Sequence, residues 1–223
     1  MRQESRLGVL GGMGPQATQV FYQFVLDRTD AARDQDHLPA LILSDTGIPD
    51  RTAAILSGDT EGLYRRLLAD ARMLERCGCT VLAIPCNTSH YFVDELQKEI
   101  GVPIVHMIRE TAAALVAQGK RRPGILGTDG TIRTGLYQKE CAAQGLEAVA
   151  PGPEAQKLVM SIIYDEIKQG EKGSRDKFAQ IDLACTELSV FATYHPLPSF
   201  YLDAMMVMAE RAVEACGYPL RTI

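Results

Sequence analysis

Apolar residues along this chain fall in short runs separated by longer amphipathic stretches, and that alternation predicts its elements in order. Leu7-Gly8-Val9-Leu10 has strand length and stops at glycines. Pro15 to Arg33 reads as a helix with proline in the first turn, where a missing N–H does no harm. Leu38 to Leu43 reads as a second strand. Gly62 to Arg76 carries Leu63, Leu67, Leu68, Ala71 and Leu74 at helical spacing and ends at Gly78. Thr80 to Ile84 is the next strand, about Ser89 to Ile100 the next helix, and Val102 to His106 a further strand. Strands alternating with helices predict a parallel sheet covered on both faces.

The pattern then restarts. Gly8-Val9-Leu10-Gly11-Gly12-Met13-Gly14 resembles Gly124-Ile125-Leu126-Gly127-Thr128-Asp129-Gly130 at a constant offset of 116 residues, and Phe21 meets Tyr137 in that register. Each half later has a strand followed by cysteine and threonine: Pro85-Cys86-Asn87-Thr88 and Ala184-Cys185-Thr186-Glu187. An internal repeat decides the architecture. The expectation is an α/β fold of two pseudo-symmetric lobes, each a mostly parallel sheet flanked by helices, with the active site in the cleft between them. The lobes are placed at 1–105 and 106–199, and the C-terminal segment 200–223, with a helix from Asp203 to Cys216, is expected to pack back on the first lobe.

Composition narrows the partners. The 223 residues carry 23 basic and 28 acidic side chains, a formal net charge of −5. A nucleic-acid binder shows a basic surplus or stripe, so no nucleic-acid partner is expected. No apolar run approaches membrane-spanning length, and the N-terminal run is shorter than a secretion signal, so the expectation is a cytoplasmic protein with no membrane partner. In that setting its six cysteines read as thiols rather than disulfides.

Most of those thiols suit small core positions. Cys77 and Cys79 flank Gly78 and lack the second ligand pair of a zinc site, and Cys141 and Cys216 sit within helices. Cys86 and Cys185 differ, because each follows an apolar strand where open α/β sheets place ligands. A helix starting just after Cys86 would favour its thiolate. Two thiols at equivalent places in related lobes suit racemisation: one removes the Cα proton from one face, and the other delivers a proton to the opposite face. The glycine turns Gly11–Gly14 and Thr128–Thr131 are expected to offer N–H groups to a carboxylate. Gly12-Met13-Gly14-Pro15-Gln16-Ala17 is also a loose dinucleotide-binding match, although Pro15 removes an N–H and the second half lacks the pattern. Arg51 is a carboxylate clamp or one member of a solvated loop pair with Asp50; Lys168 is a second anion site or a lysine answering a helix C-terminus. His90, one turn after Cys86, either tunes that thiol or fills the core.

Taken together, Gly11-Gly12-Met13-Gly14-Pro15 with Ala17-Thr18, Pro85-Cys86-Asn87-Thr88-Ser89-His90, Gly127-Thr128-Asp129-Gly130-Thr131 and Cys185-Thr186-Glu187-Leu188 resemble the cofactor-independent aspartate/glutamate racemases. The resemblance covers nearly the whole chain. It implies racemisation of a small acidic amino acid by Cys86 and Cys185 with no cofactor, in a homodimer. It implies that Asn87, Thr88, Thr128, Thr131 and Thr186 hold the α-carboxylate and amine, and that Arg51 and Lys168 recognise carboxylates. Met13, Ser89 and Glu187, within the same motifs, are counted as substrate-binding. Isomerisation or decarboxylation of a dicarboxylate, and binding without catalysis, are the other readings. One departure stands out: Gly8 to Cys86 spans 78 residues but Gly124 to Cys185 only 61, so the second lobe is 17 residues shorter there. Ser174 to Gln180 leaves room for about two helical turns before Cys185.

Overall fold

The computed structural model describes residues 5–180, 189–195, 197–198 and 201–222; Cys185, Thr186 and Glu187 lie outside them. Strand β1 (Leu7–Gly11) is followed by α1 (Pro15–Arg28), β2 (Ala40–Ser44), α2 (Arg51–Ser57), α3 (Glu61–Arg76) and β3 (Val81–Ala83). Next come α4 (Val93–Glu99), β4 (Ile104–Val105) and α5 (Met107–Ala117). The four strands form one parallel sheet in the order β2-β1-β3-β4, with Leu7 opposite both Ala40 and Val81 and Leu82 opposite Ile104. Parallel neighbours need a crossover, and the helices between the strands supply it.

Alternation along β1 sorts the core into two layers. Leu7 and Val9 pack with Phe21 and Val25 of α1 and Met107 of α5. Leu10, on the opposite face, packs with Leu63, Leu67 and Leu74 of α3 and Leu96 of α4. The chain continues through α6 (Asp129–Thr134), α7 (Leu136–Ala143) and α8 (Pro153–Ser161), a π-helical turn at Ile162–Glu166 and a 3-10 turn at Ile167–Gln169. It then forms α9 (Arg175–Phe178), α10 (Ser189–Tyr194) and α11 (Ala204–Ala215). Helix α11 buries Met205, Met208, Ala209 and Ala212 against the Leu7–Val9 face, and Arg28 of α1 pairs with its Glu210 at 2.5 Å.

Several boundaries depart from the sequence pattern. Helix α1 stops at Arg28 rather than Arg33, because Thr29 turns its N–H and hydroxyl onto the Val25 carbonyl and bridges to Leu220. The stretch expected as one helix from Ser89 begins as a 3-10 turn, Thr88–Phe92, before α4. In the second half, the strand expected after Pro123 makes a single parallel bridge, Gly124 to Val149, among the described residues. Its two bonds are Ile125 N–H to Val149 O at 2.8 Å and Val149 N–H to Pro123 O at 2.9 Å. Residues 181–184, where a further strand was expected, lie outside the described set. Helix α9 has four residues, fewer than the two turns foreseen, with the Ser174 hydroxyl accepting from Lys177 N–H at its start. Phe178 stacks on Phe191 at 4.7 Å between ring centres. None of the described helices is long and apolar enough to cross a membrane.

Leu67 is fully buried between α3 and the sheet. Leu67→Ala should destabilise the fold by roughly 2–5 kcal/mol in denaturant unfolding, the range for a rigid core that cannot collapse around the gap.

Candidate active site

All four strands run the same way, so their C-terminal ends deliver the Gly12–Gly14 turn, the 45–50 loop, Pro85–Thr88 and His106 to one edge of the sheet. A cavity of about 520 Å³ opens there, within the usual size range of small-molecule sites. Met13, Arg51, Cys86, Asn87 and Thr88 line it from the first half, and Thr128, Tyr164 and Lys168 from the second.

Cys86 leaves β3 on the cavity wall and is almost fully buried. His90 acts on its main chain. Ring Nε2 accepts the Met107 N–H at 3.0 Å, so the proton sits on Nδ1, which donates to the Cys86 carbonyl at 2.9 Å. Both ring nitrogens are therefore engaged by backbone, and the imidazole ties the exit of β3 to the start of α5. Burial pushes the His90 pKa down to about 3, with His106 adding to the effect. Next in the chain, the Asn87 side-chain oxygen accepts the Tyr137 hydroxyl at 2.6 Å, which fixes which end of the amide is the acceptor.

Four buried threonines join the two halves. Thr88 Oγ1 lies 3.0 Å from both Thr128 Oγ1 and Thr131 Oγ1, and Thr52 donates to Thr128 at 3.1 Å. Thr128 also starts α6, its hydroxyl accepting the Thr131 N–H. Gly130 makes this approach possible, because a Cβ there would stand 3.0 Å from the Thr52 Cα and from the Thr88 methyl. Ser89 and Thr131 are not on the cavity wall itself. Ser89 supports Met13 through a 3.2 Å contact to its sulfur, and Thr131 supports Thr88 and Thr128.

The glycine turn is less open than its sequence suggested. Gly12, at φ +91°, lies against the Asp45 backbone, and its N–H is taken by the Thr18 hydroxyl at 2.9 Å. Since Thr131 N–H is also engaged, neither group is available as the carboxylate donor foreseen, and the phosphate-cradle reading loses its Gly12 donor.

Arg51 is buried and holds backbone. One terminal nitrogen reaches Pro49 O at 3.1 Å and Ile48 O at 3.5 Å, and the other reaches Met13 O at 3.1 Å. Its Nε has no hydrogen-bond partner among the described residues. Across the cavity, the Lys168 ammonium sits 3.4 Å from Asp50 Oδ2 and 3.5 Å from the centre of the Tyr164 ring. The Tyr164 hydroxyl donates to the same carboxylate at 3.1 and 3.3 Å. Burial pushes the Asp50 pKa up, but the Ala53 N–H, Lys168, Arg51 and Tyr164 together outweigh it and hold the carboxyl below its ordinary range. The loop-pair and anion-site readings thus meet: Asp50 binds Lys168, while Arg51 turns inward.

Sequence reasoning missed Thr52, Tyr137 and Tyr164. The repeat pairs Tyr137 with Phe21, and the hydroxyl that Phe21 lacks was the available signal. Among the described residues, no three His, Cys, Asp or Glu side chains cluster as metal ligands.

Two measurements bear on this geometry. The depressed pKa means that His90 stays neutral across the pH range around neutrality, so its ring NMR shifts should not move between about pH 5 and 8. Because the unfolded histidine protonates near ~6.5, this group should weaken the fold as pH falls below that value. Gly130→Ala should force α6 away from α2 and reduce turnover by at least about tenfold, a loss of roughly 1.4 kcal/mol in transition-state stabilisation, while circular dichroism stays unchanged.

Residues 10–195 match the sequence model of the family described as Asp/Glu/Hydantoin racemase. The broad-specificity amino-acid racemase RacX of Bacillus subtilis is 31% identical over 147 residues, 64% of this chain and 63% of that protein. Glutamate racemase of Aquifex pyrophilus is 30% identical over 119 residues, 52% of this chain and 45% of that protein. The matched stretch thus spans under two thirds of the first relative and under half of the second. Among solved structures, Picrophilus torridus aspartate racemase superposes with a TM-score of 0.84 at 25% identity, covering 97% of this chain and 96% of that one. The fold is shared with Francisella tularensis glutamate racemase, solved with D-glutamate, at a TM-score of 0.64 and 14% identity over 95% of this chain and 81% of that one. The family match takes in the glycine turn, Cys86 and the threonine cluster, and this chain belongs to the Asp/Glu/hydantoin racemases.

Proposed function

We propose that this protein racemises a small acidic amino acid, aspartate or glutamate, without a cofactor, using Cys86 and Cys185 as a pair of acid–base groups. The observation that carries the reading is the Cys86 thiol on the cavity wall, next to Asn87 and Thr88 and beside hydroxyls from both halves of the chain. Residues 1–105 with 200–223 form one side of the cleft in this reading, and 106–199 form the other.

The chemistry asks for a base on one face of Cα and an acid on the other. One cysteine enters as thiolate and takes the Cα proton; the electron pair left on Cα delocalises into the α-carboxylate. The opposite thiol then donates its proton to the other face and leaves as thiolate. The product departs with the two cysteines in exchanged protonation states, and a proton exchange with solvent resets them. Asn87, Thr88, Thr128 and Thr186 hold the carboxylate as charge builds on it, where fixed donors act most strongly. Thr131, Ser89 and Met13 keep those donors in place, and Glu187 lies beside the amine. The Arg51 Nε and the Lys168 ammonium meet the side-chain carboxylate. The protein works as a cytoplasmic homodimer, with neither nucleic acid nor membrane as partner.

Incubation with L-aspartate or L-glutamate in deuterated water should remove optical rotation and place deuterium at Cα. Cys86→Ala and Cys185→Ala should each lower racemisation by about 10²–10⁴-fold, the usual share of a positioned proton-transfer group. Normal racemisation by both single variants would overturn the scheme.

A further inference from the structure

Apart from the thiol and its neighbours, the described chain buries one acidic group with no evident use. Asp70 lies in the middle of α3, on the face shared by Leu67 and Leu74, and is 6% exposed. Its Oδ2 has no hydrogen-bond partner among the described residues. The nearest cation is Arg66, one turn earlier on the same helix, but that guanidinium is committed elsewhere. Its Nε and a terminal nitrogen bond both oxygens of Asp45, at 2.5 and 3.0 Å. Asp45 also accepts the Gly47 N–H at 2.9 Å. The charged groups acting on Asp70 are thus Asp45, at the end of β2, and Arg66 of its own helix. The β1 and α4 residues packed against this face of α3 are apolar, Leu10, Val93 and Leu96 among them.

We propose that Asp45 and Asp70 form a carboxyl pair sharing one proton, and that this proton sets the position of the 45–51 loop and hence of Arg51 in the cavity. Asp70 is a positioning residue here, acting through Asp45. The inference rests on the cavity being the catalytic site, and its structural half is separately testable.

Asp45 is placed to carry such a signal. Its N–H donates to the Gly11 carbonyl at 3.3 Å, and its backbone is the surface against which Gly12 packs; a Cβ on Gly12 would come within 2.4 Å of it. Beyond it, Ile48 and Pro49 offer the carbonyls that hold Arg51, and Arg51 returns to the Met13 carbonyl. Both segments that shape this wall, 11–14 and 45–51, are therefore hung from Asp45. With a proton between the carboxyls, Asp70 donates to Asp45 and the loop is pinned to α3. Without it, two like charges stand side by side out of water, and relief comes from moving Asp45 away from the helix.

Burial is the main cause pushing the Asp70 pKa up to about 6, and Asp45 is the next; Arg66 holds Asp45 low. The two titrate as one unit. Because the folded form holds this proton more tightly than the unfolded chain, the stability it contributes is full below about pH 4 and is lost as pH rises through about 6.

Asp70→Asn tests this, because an amide donates to Asp45 at every pH. The wild type should show KM for the acidic amino acid rising severalfold across an inflection near pH 6, with kcat following its own profile. The variant should show a flat KM over the same range. In thermal unfolding the variant should match the wild type at acid pH and exceed it above neutrality. A KM inflection retained in Asp70→Asn would overturn the proposal. For a readout that needs neither the variant nor turnover, the Asp70 carboxyl 13C signal of the wild-type protein should titrate near pH 6, with Asp45 and the Arg51 side chain shifting in step. Ordinary carboxylate titration near pH 4, or an Arg51 signal that does not move, would overturn it equally. If the protein racemises nothing while these NMR shifts still track one another, the proposed reaction fails and the proton-sharing pair stands.

Discussion

Strand β1 has a hydrogen-bonded neighbour on each edge and a helical layer on each face, so none of its backbone groups can turn to water. That enclosure dictates what may stand at its end. The chain must leave the sheet without a side chain in the way, and it does so at Gly12, in a conformation that other residues rarely adopt. Because β2 and β3 run parallel to β1 in strict register, their ends emerge at the same level. The thiol, the guanidinium and the glycine turn meet as a result of sheet geometry before any ligand is considered.

The two halves meet through hydroxyls rather than through charges or apolar surface. A threonine hydroxyl both donates and accepts, so the Thr52–Thr128–Thr88–Thr131 chain can hold itself together. Any of these groups can re-aim its proton at an arriving carboxylate without stripping water from an ion. An ionic contact at the same place would carry a heavy desolvation penalty and would compete with an anionic ligand. The charged groups are kept to the rim instead, where Asp50 answers Lys168 and leaves the Arg51 Nε as the inward cationic donor.

Much of the first half was legible in the sequence, because its signals are local. Leu63, Leu67 and Leu74 announce α3 by spacing, and the Leu7–Leu10 run announces β1 by its glycine stop. Helix α1 was over-extended because Thr29 ends it through a hydroxyl bond and a bridge to Leu220, a contact almost two hundred residues away. His90 could be placed near Cys86 by counting, but not given a role. That depends on Met107 arriving from another strand, which spacing does not reveal. The inward turn of Arg51 was hidden for the same reason, since its partners are backbone carbonyls that any sequence provides. Tyr164 and Lys168 came together through a π-helical turn, and no residue in Ile162–Glu166 advertises one.

That wide turn makes the site sensitive to the arithmetic of chain length. A π turn takes up one more residue than an ordinary helical turn. Removing any one residue between Ile162 and Glu166 would restore the tighter winding and swing everything after it by about 100° around the helix axis. Lys168 would then lose both the Tyr164 ring and Asp50 while every side chain of the rim remained in the sequence. For a lineage drifting by insertion and deletion, this short segment is a rotary adjustment: a single codon gained or lost re-addresses the cavity's cation and leaves its composition unaltered.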